Sequence, residues 1–247
     1  MAEPLPRRAV SEADGLSVSG LTKRFGKTLA VDQLDFQVSP RQIMALLGPN
    51  GAGKTTTLMC LAGLLRPDAG TIAWRGIGLG ANRGRQVALI TETPEVYEML
   101  TVWEHMIFVG RSCQLPVGWQ ERAETLLQRL GMWDDRDSLG ETLSKGMRQR
   151  VLIAATLLAA TPILLLDEPM IGLDPRGQHE LRNLLLEVRD QGTAVIVSTH
   201  LLANVQSFCD RLLILNKGRA AAEGSLTELL ERYGHKTLEE TFLDIVR

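Results

Sequence analysis

The segment Gly48–Thr55, which reads GPNGAGKT, constrains the fold of this 247-residue chain more than any other feature. It matches the pattern GxxxxGK[ST] and stands between the apolar run Ile43–Leu47 and a stretch that predicts a helix beginning near Lys54. Glycines in such a turn let backbone N–H groups point inward, and the N-terminus of the following helix adds partial positive charge. The segment therefore predicts a phosphate-binding loop that joins a strand to a helix.

The side chains of this loop have separate predicted tasks toward a bound nucleotide. We expect Lys54 to reach the β- and γ-phosphates and the Thr55 hydroxyl to ligate Mg²⁺. ATP and Mg²⁺ are therefore the predicted cofactors. The other expected nucleotide contacts come from the loop and the residue after it: Gly48, Pro49, Asn50, Gly51, Ala52, Gly53 and Thr56.

Strand-like and helix-like segments alternate along the chain, which is typical of an α/β fold with a mainly parallel sheet. The helical segments carry apolar side chains at three- and four-residue spacing, as in Leu181, Leu184, Leu185 and Val188. Residues 92–159 break the alternation and predict a helical subdomain inserted into the core. The apolar runs that predict strands are Ile43–Leu47, Val87–Ile90, Ile163–Leu166, Ala194–Val197 and Leu212–Leu215.

Composition and charge exclude several classes of protein. The formal net charge of −2 argues against a nucleic-acid partner, because nucleic-acid binders usually carry a basic excess. The longest apolar stretch, Val151–Leu166, is divided by Pro162 and predicts a buried helix followed by a buried strand, with no membrane-spanning segment.

Residues 1–15 lack the apolar run of a signal peptide and are expected to form a disordered tail. Cys60, Cys113 and Cys209 form no CxxC pair, and we expect them to be reduced thiols in or near the core. Both features predict a cytoplasmic location. His105, His179 and His235 show no metal-ligand spacing and are expected to be ordinary surface or core residues.

Two adjacent acids, Asp167 and Glu168, follow the apolar run Ile163–Leu166. A buried parallel strand would carry both acids to the carboxyl edge of the sheet, where open α/β sheets bind ligands. We expect Asp167 to hold Mg²⁺, largely through water. We expect Glu168 to act as the general base that polarises an attacking water.

The segment Leu143–Arg150, which reads LSKGMRQR, resembles the signature motif of ATP-binding-cassette (ABC) ATPases. The resemblance extends from about Gly15 to the end of the chain. It implies a P-loop NTPase (RecA-like) core with an N-terminal antiparallel β part and an inserted helical subdomain. On this basis residues 16–247 are expected to form one nucleotide-binding domain.

The resemblance also implies roles for single residues outside the loop and the acids. Phe25 matches the aromatic residue that stacks on adenine, and Val31 is expected to contact the bound ATP as well. Glu92 falls at the Q-loop position, where it would ligate Mg²⁺. Asp174 matches the D-loop, and His200 matches the switch histidine that holds the γ-phosphate.

In this family two subunits pack head to tail, and each ATP lies between the P-loop of one and the signature of the other. The resemblance therefore implies a homodimer, or a heterodimer with a related ATPase. From the partner chain, Ser144, Lys145, Gly146 and Met147 would contact the bound ATP, while Lys54, Glu168 and His200 would act catalytically within one chain.

Three positions depart from the family's common pattern: Lys145 replaces a glycine, Met147 replaces Gln or Glu, and Glu92 replaces a glutamine. This combination is similar to ATPases of ABC-2-type exporters. The resemblance implies a separate polytopic transmembrane permease, whose cytosolic helices would dock beside Glu92. The chain would then lie at the inner face of the cell membrane. Alternatives are an ABC ATPase that moves no solute, an importer ATPase and a subunit that binds nucleotide without hydrolysis.

Overall fold

The computed structural model describes residues 15–80 and 83–247. The predicted disordered tail, apart from Gly15, lies outside the described residues. In chain order the strands are β1 (Leu16–Phe25), β2 (Thr28–Val38), β3 (Gln42–Leu47), β4 (Ala69–Trp74), β5 (Ile77–Gly78), β6 (Val87–Ile90), β7 (Ile163–Asp167), β8 (Ala194–Thr199), β9 (Arg211–Asn216) and β10 (Arg219–Gly224). The α-helices are α1 (Lys54–Ala62), α2 (Val102–Ser112), α3 (Trp119–Arg129), α4 (Lys145–Leu158), α5 (Pro175–Asp190), α6 (Leu202–Val205), α7 (Leu226–Tyr233) and α8 (Leu238–Val246).

The larger sheet has the strand order β10-β9-β3-β8-β7-β6, and its neighbours are parallel except for the β10–β9 pair. The strands β3, β7 and β8 are buried along nearly their whole length. Such strands read as continuous apolar runs because helices or a second sheet cover both faces. The predicted α/β class with a mainly parallel sheet is confirmed.

The smaller sheet is antiparallel, with the order β2-β1-β4-β5. Together with α1, it packs against one face of the larger sheet. Met44, Leu46 and Ile196 of the larger sheet lie on this face. The opposite face packs against the helices that follow β6. Ile43 and Leu164 are among the sheet residues on this face. This arrangement confirms the expected antiparallel β part beside the P-loop core.

The helices α2, α3 and α4 lie between β6 and β7 in the chain, within the stretch expected to be a helical subdomain. We call these three helices the helical insertion. As predicted, Val151–Leu166 divides into the buried face of α4 and the buried strand β7. In the part of the chain that the structure describes, no helix is long and apolar enough to span a membrane.

The three cysteines are free thiols, with Cys60 buried and Cys209 partly buried. Cys113 is exposed at the end of α2, so the prediction that all three lie in or near the core is wrong for this residue. At the end of a helix a cysteine side chain can lie at the surface. The spacing of residues in the sequence does not reveal such an exposed position.

Candidate nucleotide-binding site

The predicted phosphate-binding loop leaves β3 and enters α1 at Lys54, as the sequence predicts. Gly51 and Gly53 have φ angles of 77° and 99°, which favour glycine. Gly53 is the N-cap of α1 and has no side chain, so the first N–H groups of α1 receive no side-chain cap. These N–H groups and the helix dipole form a binding place for an anion.

Lys54 is buried, with 8% of its surface exposed, and its ammonium folds back over the loop. Its Nζ donates to the carbonyl oxygen of Gly48 at 2.7 Å and to that of Pro49 at 3.3 Å. Burial lowers the pKa of Lys54 because it penalises the charged ammonium, and the carboxylates of Glu168, Asp167 and Glu92 oppose this shift. The cation therefore lies within electrostatic range of all three predicted acidic site residues.

Two other parts of the chain support the loop from behind. A Cβ atom at Gly53 would lie 2.3 Å from the carbonyl oxygen of Ala30 in β2, so only glycine fits there. The turn between β9 and β10 adds a hydrogen bond from the Gly218 N–H to the Ala52 carbonyl at 3.1 Å. Val31 is fully buried in this support, so its side chain has no surface for the predicted nucleotide contact.

Asp167 and Glu168 stand at the carboxyl edge of the larger sheet, where β8 lies between their strand β7 and the loop-bearing strand β3. The Ser198 hydroxyl in the neighbouring strand β8 donates to Asp167 Oδ1. The Glu168 N–H donates to both the carbonyl oxygen and the hydroxyl of Ser198, at 3.1 and 3.3 Å. Ser198 therefore fixes the position of both acids. This role of Ser198 is not evident from the sequence.

Glu168 occupies an unusual backbone conformation, with a φ angle of 48°. A non-glycine residue in this region costs free energy, and such strain is concentrated at functional sites. Its carboxylate is buried, and Oε2 has no hydrogen-bond partner among the described residues. An unpartnered buried carboxylate oxygen is a suitable acceptor for a proton from a bound water.

His200 follows β8 and donates from Nδ1 to Glu168 Oε1 at 2.7 Å, because a carboxylate oxygen can only accept. Half of the His200 side-chain surface is exposed, at 50%, while that of Glu168 is 9%. With Nδ1 engaged, Nε2 is the ring nitrogen left for another hydrogen bond. Nε2 can donate to a phosphate oxygen only when the imidazole carries both protons.

The predicted Mg²⁺ ligands are a hydroxyl and carboxylates, the hard oxygen donors that this ion requires. Thr55 is exposed in the first turn of α1, and Glu92 is exposed after β6. Among the described residues no group of three or more His, Cys, Asp or Glu side chains forms a metal cluster. Mg²⁺ is commonly held by one or two carboxylates together with substrate phosphates, and its binding here stays a prediction.

Phe25 lies at the end of β1 with 48% of its surface exposed. The ammonium of Lys23 lies 5.5 Å from the centre of its ring. An exposed ring of this kind offers a face on which a base can stack. Its role in holding adenine stays a prediction.

The signature residues lie at the start of α4. Ser144 is the N-cap, and its hydroxyl accepts from the Met147 N–H at 3.3 Å. Ser144 and Lys145 are exposed, and Gly146 and Met147 are partly exposed. Among the described residues no hydrogen bond or ion pair joins Ser144–Met147 to the loop Gly48–Thr55. The predicted contact of these residues with ATP stays a prediction.

Asp174 is the N-cap of α5, and its Oδ1 accepts from the Gly177 N–H at 2.9 Å. The same oxygen accepts from Arg150 Nη2 at 2.6 Å. The pKa of Asp174 is lowered, first by the Gly177 N–H and then by Arg150. Arg150 lies within the signature segment, but its contact with Asp174 is not evident from the sequence.

Comparison with known proteins assigns a family to this geometry. The family model described as ABC transporter matches residues 31–171. The chain is 37% identical to the daunorubicin/doxorubicin resistance ATP-binding protein DrrA of Streptomyces peucetius, covering 90% of this chain and 69% of the relative. It is 34% identical to the ABC-type transporter ATP-binding protein EcsA of Bacillus subtilis, covering 94% and 96%. It is 36% identical to the Nod factor export ATP-binding protein I of Ralstonia nicotianae, covering 92% and 72%.

Solved structures agree with the sequence relatives. A structure described as the ATP-binding subunit of an ABC transporter has a TM-score of 0.89 and 32% identity, covering 94% of this chain and 99% of that one. A nucleotide-free ATP-binding cassette has a TM-score of 0.77 at 22% identity, covering 93% and 98%, and so supports the fold alone. From its motifs, fold and relatives, the chain belongs to the family of ABC transporter ATP-binding proteins.

Proposed function

We propose that this chain is the ATP-hydrolysing subunit of an exporter and that two copies, or one copy and a close relative, close around two ATP molecules. The observation that carries this proposal is the Glu168–His200 pair at the sheet edge where the phosphate-binding loop begins. A subunit that used nucleotide only for structure would not need a strained, unpartnered carboxylate at this place.

Hydrolysis follows from the positions of these groups. A water attacks the γ-phosphorus, the bond to the bridging β–γ oxygen breaks, and ADP leaves with that oxygen. Glu168 Oε2 accepts the proton of the attacking water, and His200 holds the Glu168 carboxylate from the other oxygen. Lys54 exchanges its bonds to the loop carbonyls for bonds to the phosphates.

Mg²⁺ would neutralise part of the charge on the β- and γ-phosphates when it is bound with ATP. Thr55 and Asp167 would hold it, with Glu92 as a further oxygen donor. Asp167 suits this task because Ser198 engages only its Oδ1.

The exposed start of α4 supports a dimer. Ser144 and the N–H groups of the first turn form an anion-binding helix N-terminus that the chain's own phosphate-binding loop does not contact. A second chain placed head to tail brings this terminus to the γ-phosphate held by the first chain. ATP then forms part of the contact between the subunits, so its hydrolysis favours their separation.

The export part of the proposal rests on the relatives and on one surface. Tyr97, Met99 and Phe108 are exposed apolar residues, with 58%, 77% and 46% of their surface accessible. We call these three residues the apolar patch. Tyr97 packs edge-on against Phe108 with ring centres 5.2 Å apart. Tyr97 and Met99 follow Glu92 closely in the sequence, and the patch is the surface that we propose to receive a cytosolic helix of a permease.

Steady-state hydrolysis by the purified chain tests the enzymatic part. Glu168→Gln should abolish turnover while leaving ATP binding within about twofold, because the amide keeps the shape but accepts no proton. Glu231→Gln removes an exposed acid in α7 and serves as the control with unchanged turnover. Normal turnover in Glu168→Gln would contradict the assignment of the base.

Gentle detergent extraction of the tagged chain from its native membranes tests the export part. Mass spectrometry should identify a polytopic membrane protein that co-purifies with the wild type and is lost in Met99→Glu/Phe108→Glu. Ile77→Glu changes another exposed apolar residue, in β5, and should retain the partner. Recovery of soluble partners alone, such as ribosomal proteins, would contradict export and leave the ATPase proposal standing.

A further inference from the structure

A cavity with a volume of about 400 Å³ lies on the side of the larger sheet that is opposite the phosphate-binding loop. Arg85 shortly precedes β6 and Thr161 shortly precedes β7, so the cavity lies where these two parallel strands begin. The phosphate-binding loop and Asp167 lie at the other, carboxyl ends of the strands. Small molecules commonly bind in cavities of about 300–1,000 Å³. We call this cavity the amino-edge pocket, and its walls include Arg85, Ser112, Cys113, Gln114, Ala159 and Thr161.

Arg85 gives the amino-edge pocket a positive charge that no acid of the described chain neutralises. Its Nη2 donates to Gln114 Oε1 at 3.1 Å, and among the described residues no carboxylate pairs with the guanidinium. The N–H groups of Nε and Nη1 have no acceptor in the same part of the chain. A guanidinium presents such donors in a planar fork that fits a carboxylate. The pocket therefore offers a place for a carboxylate.

Two helix ends bring partial negative charge to the same pocket. The helix α2 ends at Ser112, and α4 ends at Leu158, directly before Ala159. Within the described ranges, the carbonyl oxygens of Ser112 and Ala159 accept no hydrogen bond. Pro116 and Pro162 follow them by four and three residues and have no N–H that could close these turns. Unpaired carbonyl oxygens at a helix C-terminus attract a cation.

The chain satisfies a neighbouring carbonyl of α4 with an arginine, but it leaves the pocket carbonyls without one. Arg122 of α3 donates from Nη2 to the Leu157 carbonyl at 2.8 Å. Arg85 could supply positive charge to Ser112 and Ala159 in the same way, but its guanidinium donates to Gln114 and to no helix carbonyl. The pocket therefore holds a cation and two carbonyl acceptors that do not pair with each other.

This combination favours a ligand that carries both charges. A phosphate or another multiply charged anion would meet the partial negative charge of two helix ends, and a simple cation would be repelled by Arg85. A zwitterion avoids both conflicts. We propose that the amino-edge pocket binds a free amino acid, with the carboxylate on Arg85 and the ammonium on the carbonyl oxygens of Ser112 and Ala159. This binding site is separate from the proposed ATPase site and does not depend on it.

Cys113 provides a reporter of occupancy in the wall of the pocket. It is the exposed one of the three cysteines and follows Ser112 directly. Cys60 is buried and Cys209 is partly buried, and burial raises the pKa of both thiols. Because the thiolate is the reactive form, iodoacetamide should alkylate Cys113 well before the other two. A ligand in the pocket should therefore slow the alkylation of Cys113.

Alkylation of the full-length chain in the presence of single amino acids tests the proposal. Each common L-amino acid except cysteine is added in turn at millimolar concentration, and mass spectrometry follows the modification of Cys113 with time. At least one amino acid should slow the reaction by more than about fivefold, as expected for a mostly occupied site. Propionate and propylamine each carry only one of the two charges and should slow it by less than about twofold at the same concentration.

Variants of two exposed arginines separate the pocket from the general charge of the surface. Arg85→Met should remove the protection of Cys113, and Arg85→Lys should keep part of it, because an ammonium retains the charge but not the planar fork. Arg111→Met is the matched control, since it removes an exposed arginine directly before Ser112 that is not part of the pocket wall. Arg111→Met should leave the protection unchanged.

A thermal-shift measurement gives a second readout that does not depend on the thiol. The protecting amino acid should raise the melting temperature equally in wild type and in Cys113→Ala, but not in Arg85→Met. Protection by no amino acid, or equal protection in wild type and Arg85→Met, would overturn the proposal. Equal protection by propionate would indicate a plain anion site and would overturn it as well. None of these results bears on ATP hydrolysis, so the proposed function stands or fails separately.

Discussion

The phosphate-binding loop and the signature are built in opposite ways. The loop is supported by β2 and by the turn at Gly218. Lys54 is buried, and its ammonium donates a hydrogen bond to the Gly48 carbonyl of the loop. The signature residues Ser144–Met147 stand at an exposed helix end, with a single N-cap hydrogen bond from Met147 to Ser144. The loop is therefore supported within the chain, whereas the signature residues are exposed.

Substitutions in the loop and in the signature are therefore expected to have different effects. A change in the loop disturbs packing that the chain itself provides, so it reduces both stability and nucleotide binding. A change at Ser144 alters an exposed position and removes one N-cap hydrogen bond, which costs about 1 kcal/mol of stability, so its main effect on hydrolysis is expected when a second chain is present.

The largest expected effect is complementation between two inactive chains. Glu168→Gln removes the base and keeps the signature, whereas Ser144→Arg blocks the signature and keeps the base. A mixed dimer, isolated with two different tags, has one site assembled from intact halves. We expect about half of the wild-type rate per dimer if the two sites act independently, because a twofold arrangement shares each site between chains.

Each variant alone supplies the control for this experiment and should show no turnover. A mixed dimer that stays inactive, although both chains are folded by circular dichroism, would contradict a site shared between subunits. An active Ser144→Arg chain would show that the exposed helix end takes no part in hydrolysis.

Two glycines of the loop predict effects of different size. Gly53→Ala places a methyl group 2.3 Å from the Ala30 carbonyl at a φ of 99°, while nothing lies within 4 Å of a methyl group at Gly51. We expect Gly53→Ala to reduce the free energy of unfolding by more than about 3 kcal/mol, and Gly51→Ala by about 1 kcal/mol. Urea unfolding measures both, and equal losses would contradict the support by β2.

The strands of the larger sheet could be predicted from the sequence because buried parallel strands are continuous apolar runs. Val87–Ile90 matches β6 at both ends, and α1 begins at the predicted Lys54. The strands of the antiparallel sheet were not located individually. The pairing of β1 with β2 shifts register between Val18 and Leu21 and again toward Lys23, which interrupts the alternation that marks such strands.

The helical insertion can be loosened without touching the loop. Buried His105 donates from Nδ1 to the Thr101 carbonyl at 2.7 Å and accepts at Nε2 from the Tyr97 N–H at 2.9 Å. His105→Phe keeps the ring but leaves the Tyr97 N–H unpaired, and should reduce the free energy of unfolding by about 1–3 kcal/mol. Urea unfolding measures this loss, and ATP affinity should not change.

His179→Phe, at an exposed position in α5, is the control and should lie within about 0.5 kcal/mol of wild type. An equal loss in both variants would contradict a specific role of the two His105 hydrogen bonds. A loss of ATP affinity in His105→Phe would contradict the expectation that the helical insertion can be loosened without affecting the phosphate-binding loop.

The smallest expected effect is a loss of thermal stability at low pH. Asp174 and Glu187 have lowered pKa values, from the Gly177 N–H and from Arg129 respectively. Their contribution to stability is fully present above the ordinary carboxyl pKa of about 4 and is lost as the pH falls through the lower folded-state values. The melting temperature should therefore fall below about pH 4, and less steeply in Arg129→Met.

The candidate site was partly predictable for a chemical reason. Lys54, Asp167, Glu168 and His200 belong to recognisable patterns after strands, and the structure places them at one sheet edge. Ser198 was not found, because a polar residue in a buried segment has no sequence pattern of its own. Its role depends on which groups the fold places opposite it, here the Glu168 N–H and the Asp167 carboxylate.

The position of β3 in the larger sheet has a consequence for synthesis of the chain on the ribosome. The antiparallel sheet needs only residues 16–78, whereas β3 pairs on its two sides with β8 and β9, so that Gln42 opposes Ala194 and Met44 opposes Arg211. Pairing across such sequence separations forms late and slowly. A nascent chain therefore carries an apolar, unpaired β3 until β8 and β9 have emerged from the ribosome. During that interval the exposed apolar strand is prone to aggregation.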